Sequence, residues 1–265
     1  MEDVPLKRNK EPLNPTGHKL NYKILGLIVG LIILYQYGLM VSDNERFNAT
    51  DIAYFVGIIG CALFATFVAG RYYGSEMFGR AYGFLGAAFV CQFMGDAAYY
   101  YFDYFLEIDP WPTPFDAFYL GVYVFAILHL FLNIRYFKPK WDKRLKGILV
   151  GIPIVVVSVF SLLAYAEWGI YDELFVELFY VDLFVLGGSI TVALAIIGVI
   201  VFKNSVLKET WLLLAIGIFF YQLADVWYYY MEIFEAYDNS HPINTVWVAS
   251  FMIIIYALYK HHKAL

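Results

Sequence analysis

Three aspartates, Asp96, Asp182 and Asp225, fall inside long apolar runs of this 265-residue chain. A carboxylate in hydrocarbon is costly unless it is paired, hydrated or protonated, so such acids are candidate functional groups. On a helix, Gln92, Asp96, Tyr99, Tyr100 and Asp103 share one face at i, i+4, i+7, i+8 and i+11. Asp225, Tyr228, Tyr229 and Glu232 repeat that stripe, and Gln222 precedes Asp225 by about one turn as Gln92 precedes Asp96. Two facing stripes would enclose a polar chamber floored by carboxylates and walled by phenol rings. It would suit a small cation or amine. The carboxylates supply charge, tyrosine faces add cation–π attraction of about 0.5–2 kcal/mol, and hydroxyls orient the guest. A carboxyl in such a place could also serve as a proton donor. In the competing reading each aspartate is capped by Tyr or Gln from a neighbouring helix and only locks the bundle. Asp116 and Glu177, with Asp103 and Glu232, lie nearer the surface and would line the mouth.

The elements that position these residues follow from composition. Hydrophobic residues make up 62% of the chain and aromatic residues 20%, with mean hydropathy +0.63, more apolar side chain than a water-soluble domain of this size can hide. At roughly 20 apolar residues per crossing, eight crossings nearly exhaust the chain. The expected fold is all-α, a polytopic membrane bundle of eight transmembrane helices over 23-42, 51-70, 80-106, 115-137, 145-166, 174-202, 209-234 and 243-261. Seventeen of the eighteen Lys and Arg residues fall in alternate gaps, and Arg46 is the exception. By the positive-inside rule those gaps are cytoplasmic, which places both termini inside. The expected location is the cell membrane, as a multi-pass protein.

The outer gaps are acidic, with Asp43, Glu45 and Asp51, then Glu107 and Asp109, then Glu167, Asp172 and Glu173, then Glu235 and Asp238. Acids are tolerated wherever basic residues are excluded; they could also form a negative mouth that concentrates cations. The first apolar run lacks a small-residue cleavage pattern and reads as a retained anchor. Residues 1-20 read as a cytoplasmic tail. Asn48-Ala49-Thr50 could accept a glycan. Cys61 and Cys91 read as small packing residues, His129 as a satisfied packing histidine, Pro153 as a kink and Gly187-Gly188 as a place of close helix approach. The five His are scattered without metal-ligand spacing, so no metal site and no cofactor are expected.

Asp96 and Asp225 are related by an offset of 129 that also pairs Tyr99, Tyr100, Tyr101 and Asp103 with Tyr228, Tyr229, Tyr230 and Glu232. Pro114 and Asp116 then correspond to Pro242 and Asn244. This predicts two four-helix repeats, 21-138 and 139-265, parallel because four is even. The 24 tyrosines and their tendency to gather at membrane interfaces offer a competing explanation.

The segment from Gly95-Asp96 through Asp109-Pro110-Trp111-Pro112-Thr113-Pro114-Phe115-Asp116-Ala117-Phe118-Tyr119-Leu120 to Tyr123 resembles the multi-pass membrane sensory regions that precede diguanylate cyclase or histidine kinase domains. The resemblance implies a sensor. Because the sequence given stops at Leu265, its output would pass to a separate signalling protein. A looser resemblance, through Gly95-Asp96, Phe125 with His129, and Asp225, is to the lysoplasmalogenase (YhhN-like) family. That would imply hydrolysis of a vinyl ether lipid, with Asp96 and Asp225 dividing the acid and base roles.

The first reading is therefore a non-enzymatic binding or sensory membrane protein whose outward cavity takes a small cationic or polar ligand, in contact with membrane lipid. An intramembrane lipid hydrolase and a cation or proton-coupled transporter are the alternatives. Nucleic-acid binding is not expected, since the basic residues are short juxtamembrane clusters suited to lipid headgroups.

Overall fold

The computed structural model describes residues 20–42, 47–75, 78–108, 113–137, 139–168, 172–233, 237–238 and 240–264, without the side chains of 166–168, 172–177, 233 and 264. Residues 1–19 of the expected tail, Arg46, Asp109 to Pro112 of the sensory-region motif, and the side chain of Glu177 lie outside that description.

Apolar runs punctuated by polar caps give eight helices: α1 (Tyr22–Val41), α2 (Ala49–Arg71), α3 (Phe78–Tyr100), α4 (Asp116–Tyr136), α5 (Lys143–Trp168), α6 (Asp172–Phe202), α7 (Lys208–Ile233) and α8 (Ile243–Ala264). Asn21 caps α1 by accepting from the Lys23 and Ile24 amides. Asn48 opens α2 through a reciprocal box: its Oδ1 accepts from the Thr50 amide at 2.8 Å while its own amide donates to Asp51 at 2.8 Å. The sequon asparagine is thus the start signal of a helix. No strand occurs among the described residues.

Seven of these helices are long and apolar enough to cross a membrane. α3 is not among them, because Gly79, Arg80, Gly83, Gly86, Gln92, Gly95 and Asp96 dilute its apolar character. α5 continues through Pro153.

Six helices close a ring in the order α2, α3, α4, α6, α7, α8 and back to α2. α1 lies outside it against α2 and α8, and α5 lies outside it against α6 and α7. Only 11% of the most apolar stretch of α1 and 17% of that of α5 is buried, against 61% for α6 and α8, as expected of helices that face lipid. In the ring α3 stands opposite α7. Exchanging α1–α4 for α5–α8 reproduces every contact between ring helices.

Helix ends meet in a consistent sense. Arg71 at the end of α2 bonds His262 at the end of α8, and Glu209 at the start of α7 pairs with Lys260 at 2.7 Å. At the other end Thr245, opening α8, donates to Gln36 near the end of α1 at 2.7 Å. The described Lys and Arg residues, among them Lys23, Arg71, Arg80, Arg135, Lys143, Lys203, Lys208 and Lys263, therefore gather at one end of the bundle, called here the basic end. The packed core sits toward it, around Ile58, Val68, Tyr82, Leu130, Ile134, Ile197, Trp211 and Leu214.

Between helices that share an apolar solvent, close packing and hydrogen bonds supply the cohesion, and small residues permit it. A Cβ on Gly198 would meet the Trp211 ring at 2.7 Å, and one on Gly187 would meet Tyr123 at 2.9 Å.

Candidate functional site

At the end of the ring remote from the basic residues lies a cavity of about 80 Å³, space for several waters or one small ligand. Asp96 from α3 and Asp225 from α7 both line it, although their helices stand on opposite sides of the ring. Nine tyrosines share the wall: Tyr54, Tyr99, Tyr100, Tyr119, Tyr123, Tyr221, Tyr228, Tyr229 and Tyr237. Gln92, Asp116, Asn244 and Trp247 complete it.

Asp96 is only 7% exposed and accepts three hydrogen bonds. Tyr119 donates to Oδ1 at 2.9 Å, while Gln92 Nε2 at 2.9 Å and the Tyr54 hydroxyl at 3.3 Å donate to Oδ2. Gly95 makes the Tyr119 contact possible, since a Cβ there would stand 2.7 Å from that ring. The Gly-Asp pair is thus one device: the glycine admits the ring that caps the aspartate.

Asp225 is 5% exposed and accepts two bonds. Tyr123 donates to Oδ2 at 2.6 Å and the Trp247 indole N–H to Oδ1 at 2.7 Å. The Tyr123 ring is seated against Gly187. The first four helices and the last four meet again where Tyr221 donates to Gln92 Oε1.

The mouth is polar. Asp116 accepts the Thr113 amide at 2.7 Å, a helix-start contact. Tyr237, between α7 and α8, donates to Asn244 Oδ1 at 3.1 Å and lays its ring 4.8 Å from that of Tyr228. Burial pushes the Tyr237 hydroxyl well above the usual phenol range, so it is a neutral donor at physiological pH.

Of the residues singled out from sequence, Asp96, Asp225, Gln92, Tyr99, Tyr100, Tyr228, Tyr229 and Asp116 line this one cavity. Asp182 stands apart: it is half-buried on α6 and accepts the Ser161 hydroxyl of α5 at 2.9 and 3.0 Å, outside the ring. Asp103 and Glu232 are not in the wall. After Tyr100 the backbone loosens into a π-helical turn, Tyr101–Phe105, whose wider winding rotates Asp103 out of the α-helical stripe. Glu232 is exposed. Gln222 does not match Gln92, for it precedes its aspartate by three residues rather than four, and Tyr221 holds the matching position.

Sequence reasoning missed Tyr54, Tyr221, Tyr237 and Trp247, and took Tyr119 and Tyr123 only as parts of a motif. The offsets that relate the two aspartate stripes carry a signal for two of them. Tyr221 is 129 residues after Gln92, and Trp247 follows Tyr119 by the offset of 128 that relates Asp116 to Asn244. Tyr119 and Trp247 play matching parts, each donating from the following helix to the aspartate of its own half.

Among the described residues, no group of three or more His, Cys, Asp and Glu is placed to hold a metal ion. The arrangement offers two carboxylates with no cation bonded to them among the described residues, surrounded by ring faces and hydroxyls. The chain matches no protein-family model, no curated protein and no solved structure.

Proposed function

We propose that this chain is an eight-span membrane protein with both termini in the cytoplasm, built of two parallel four-helix repeats. Its outward-facing chamber binds one small organic cation. The observation that carries the reading is the presence of Asp96 and Asp225 in a single tyrosine-lined cavity. Two carboxylates supply the counter-charge, and tyrosine faces favour a cation that is only weakly hydrated. The contact pattern of the ring, the Tyr119 and Trp247 correspondence and the clustering of basic residues at the far end support the repeats and the orientation. A sensory role follows if occupancy of the chamber shifts the packing of the two halves, which meet at the Tyr123–Asp225 and Tyr221–Gln92 bonds.

A lipid hydrolase of lysoplasmalogenase type would need an acyl chain to reach the carboxylates from the side. The apolar groove between α5 and α7, lined by Val155, Val159, Leu163, Leu223 and Trp227 among others, shares no residue with the chamber. That favours the binding reading.

Trp247 lies in the wall, so occupancy is readable by tryptophan fluorescence. Titration of the purified chain with methylammonium should give a saturable change, absent with methanol or acetate and lost in Asp96→Asn/Asp225→Asn. A linear response, or one that survives the double substitution, would contradict the reading.

A further inference from the structure

The carboxylate chamber is well supplied with partners; the interior of the ring below it is not. A second cavity of about 40 Å³ lies directly beneath, and Tyr123 and Tyr221 line both. Gln222, Thr191 and His129 also line it, among otherwise apolar side chains. Both amide atoms of Gln222 are buried without a hydrogen-bond partner among the described residues. The amide rests where a Cβ on Gly188 would stand, 1.4 Å from its Oε1.

His129 is fully buried, and its Nδ1 lies 2.9 Å from the Ala81 carbonyl oxygen. A carbonyl only accepts, so Nδ1 carries the hydrogen and Nε2 presents its lone pair. That Nε2 has no partner among the described residues. Toward the basic end, Tyr82 touches the His129 ring at 4.7 Å between centroids and the His261 ring at 4.6 Å. The Tyr82 hydroxyl and both His261 nitrogens are likewise buried and unpartnered among the described residues. Beyond His261 stand Tyr72, the Arg71–His262 contact and the Lys260–Glu209 ion pair, at the end of the bundle.

Buried polar atoms are normally paired, and orphans linked by a shared cavity (Gln222, His129) and by ring contact (His129, Tyr82, His261) call for a shared partner. The second cavity is large enough for a few waters, and Gln222, Thr191 and His129 can bond them. The geometry points to a proton path along the ring interior, joining the carboxylate chamber to the basic end through the cavity at Gln222 and His129 and then through Tyr82 to His261. Water carries the proton past Tyr123 and Tyr221. His129 accepts it on Nε2, becoming an imidazolium, and returns it from the same nitrogen toward Tyr82 and His261. Only O–H and N–H bonds form and break, and each group regains its starting charge. This inference rests on the ring geometry and is independent of which ligand fills the chamber.

The full chain reconstituted in phosphatidylcholine vesicles, with a pH-sensitive dye trapped inside and a valinomycin-clamped potassium gradient as driving force, tests it. Proton entry should exceed that of protein-free vesicles. His129→Leu should bring the rate down to the protein-free value, and His261→Phe, nearer the surface and easier to accommodate, should lower it as well. A wild-type rate equal to that of empty vesicles would overturn the path without touching the methylammonium response. So would wild-type conduction in both histidine variants.

Discussion

Asp96 and Asp225 occupy matching places on opposite helices, yet they are held differently. Asp96 takes its three bonds from α2, α3 and α4, all within the first half of the chain. Asp225 takes one from α8 and one from Tyr123 of α4, across the divide between halves. The glutamine that completes the Asp96 site has no counterpart at Asp225, where Tyr221 stands instead and reaches over to Gln92. An ionised carboxylate has about four acceptor positions, so Asp225 keeps more unused capacity for a guest. Asp96 is bonded wholly within its own half; Asp225 is part of the joint between halves and, on the proposed reading, the carboxylate with more room for a guest.

The difference predicts unequal responses. The largest effect belongs to binding: Asp225→Asn should cost methylammonium about 2–5 kcal/mol, the range for truncating one partner of a buried charge pair, and Asp96→Asn less. Fluorescence titration measures both, and an equal loss would erase the distinction. Next comes packing. Gly95→Ala forces the Tyr119 ring away and should lower stability by about 1–3 kcal/mol in detergent unfolding. Gly26→Ala, where a Cβ meets nothing within 4 Å, should cost nothing.

The donors come third. Trp247→Phe removes one of the two bonds to Asp225 among the described residues and should destabilise by about 1.5–3 kcal/mol; Tyr119→Phe, which leaves Asp96 two others there, by about 1 kcal/mol. The reverse order in a thermal melt would show that Asp96 is the poorer site. The smallest effect is expected of Ser161→Ala, which strips Asp182 of its described partner and should leave methylammonium affinity unchanged.

Much of this was legible in the sequence, for reasons that also explain what was not. Long apolar runs bounded by Asn, Asp and Lys placed all eight helices to within a few residues, apart from the π-helical end of the third. The stripe through Gln92, Asp96, Tyr99 and Tyr100 is legible because α3 holds α-helical winding that far; from Tyr101 the π winding turns Asp103 off that face, a change that an i, i+4 pattern does not register. For Asp182 the sequence shows depth within an apolar run and nothing more. α6 is apolar on nearly every face, so periodicity could not tell that this carboxylate turns toward α5. Gln222 and Gln92 look equivalent in the sequence, but a spacing of three instead of four before the aspartate turns a helical side chain by about 100°. The caps Tyr54 and Trp247 come from the helices next in sequence to α3 and α7, but which of the many aromatic residues on a neighbouring helix meets the carboxylate depends on how the two helices pack, which no local pattern records.

Isothermal titration of the purified chain with methylammonium, read for stoichiometry, tests most directly whether Asp96 and Asp225 serve one site. One equivalent per chain is expected, with affinity reduced by either Asp96→Asn or Asp225→Asn. Two equivalents, of which one survives unchanged in each single variant, would mean that the two carboxylates act in separate sites.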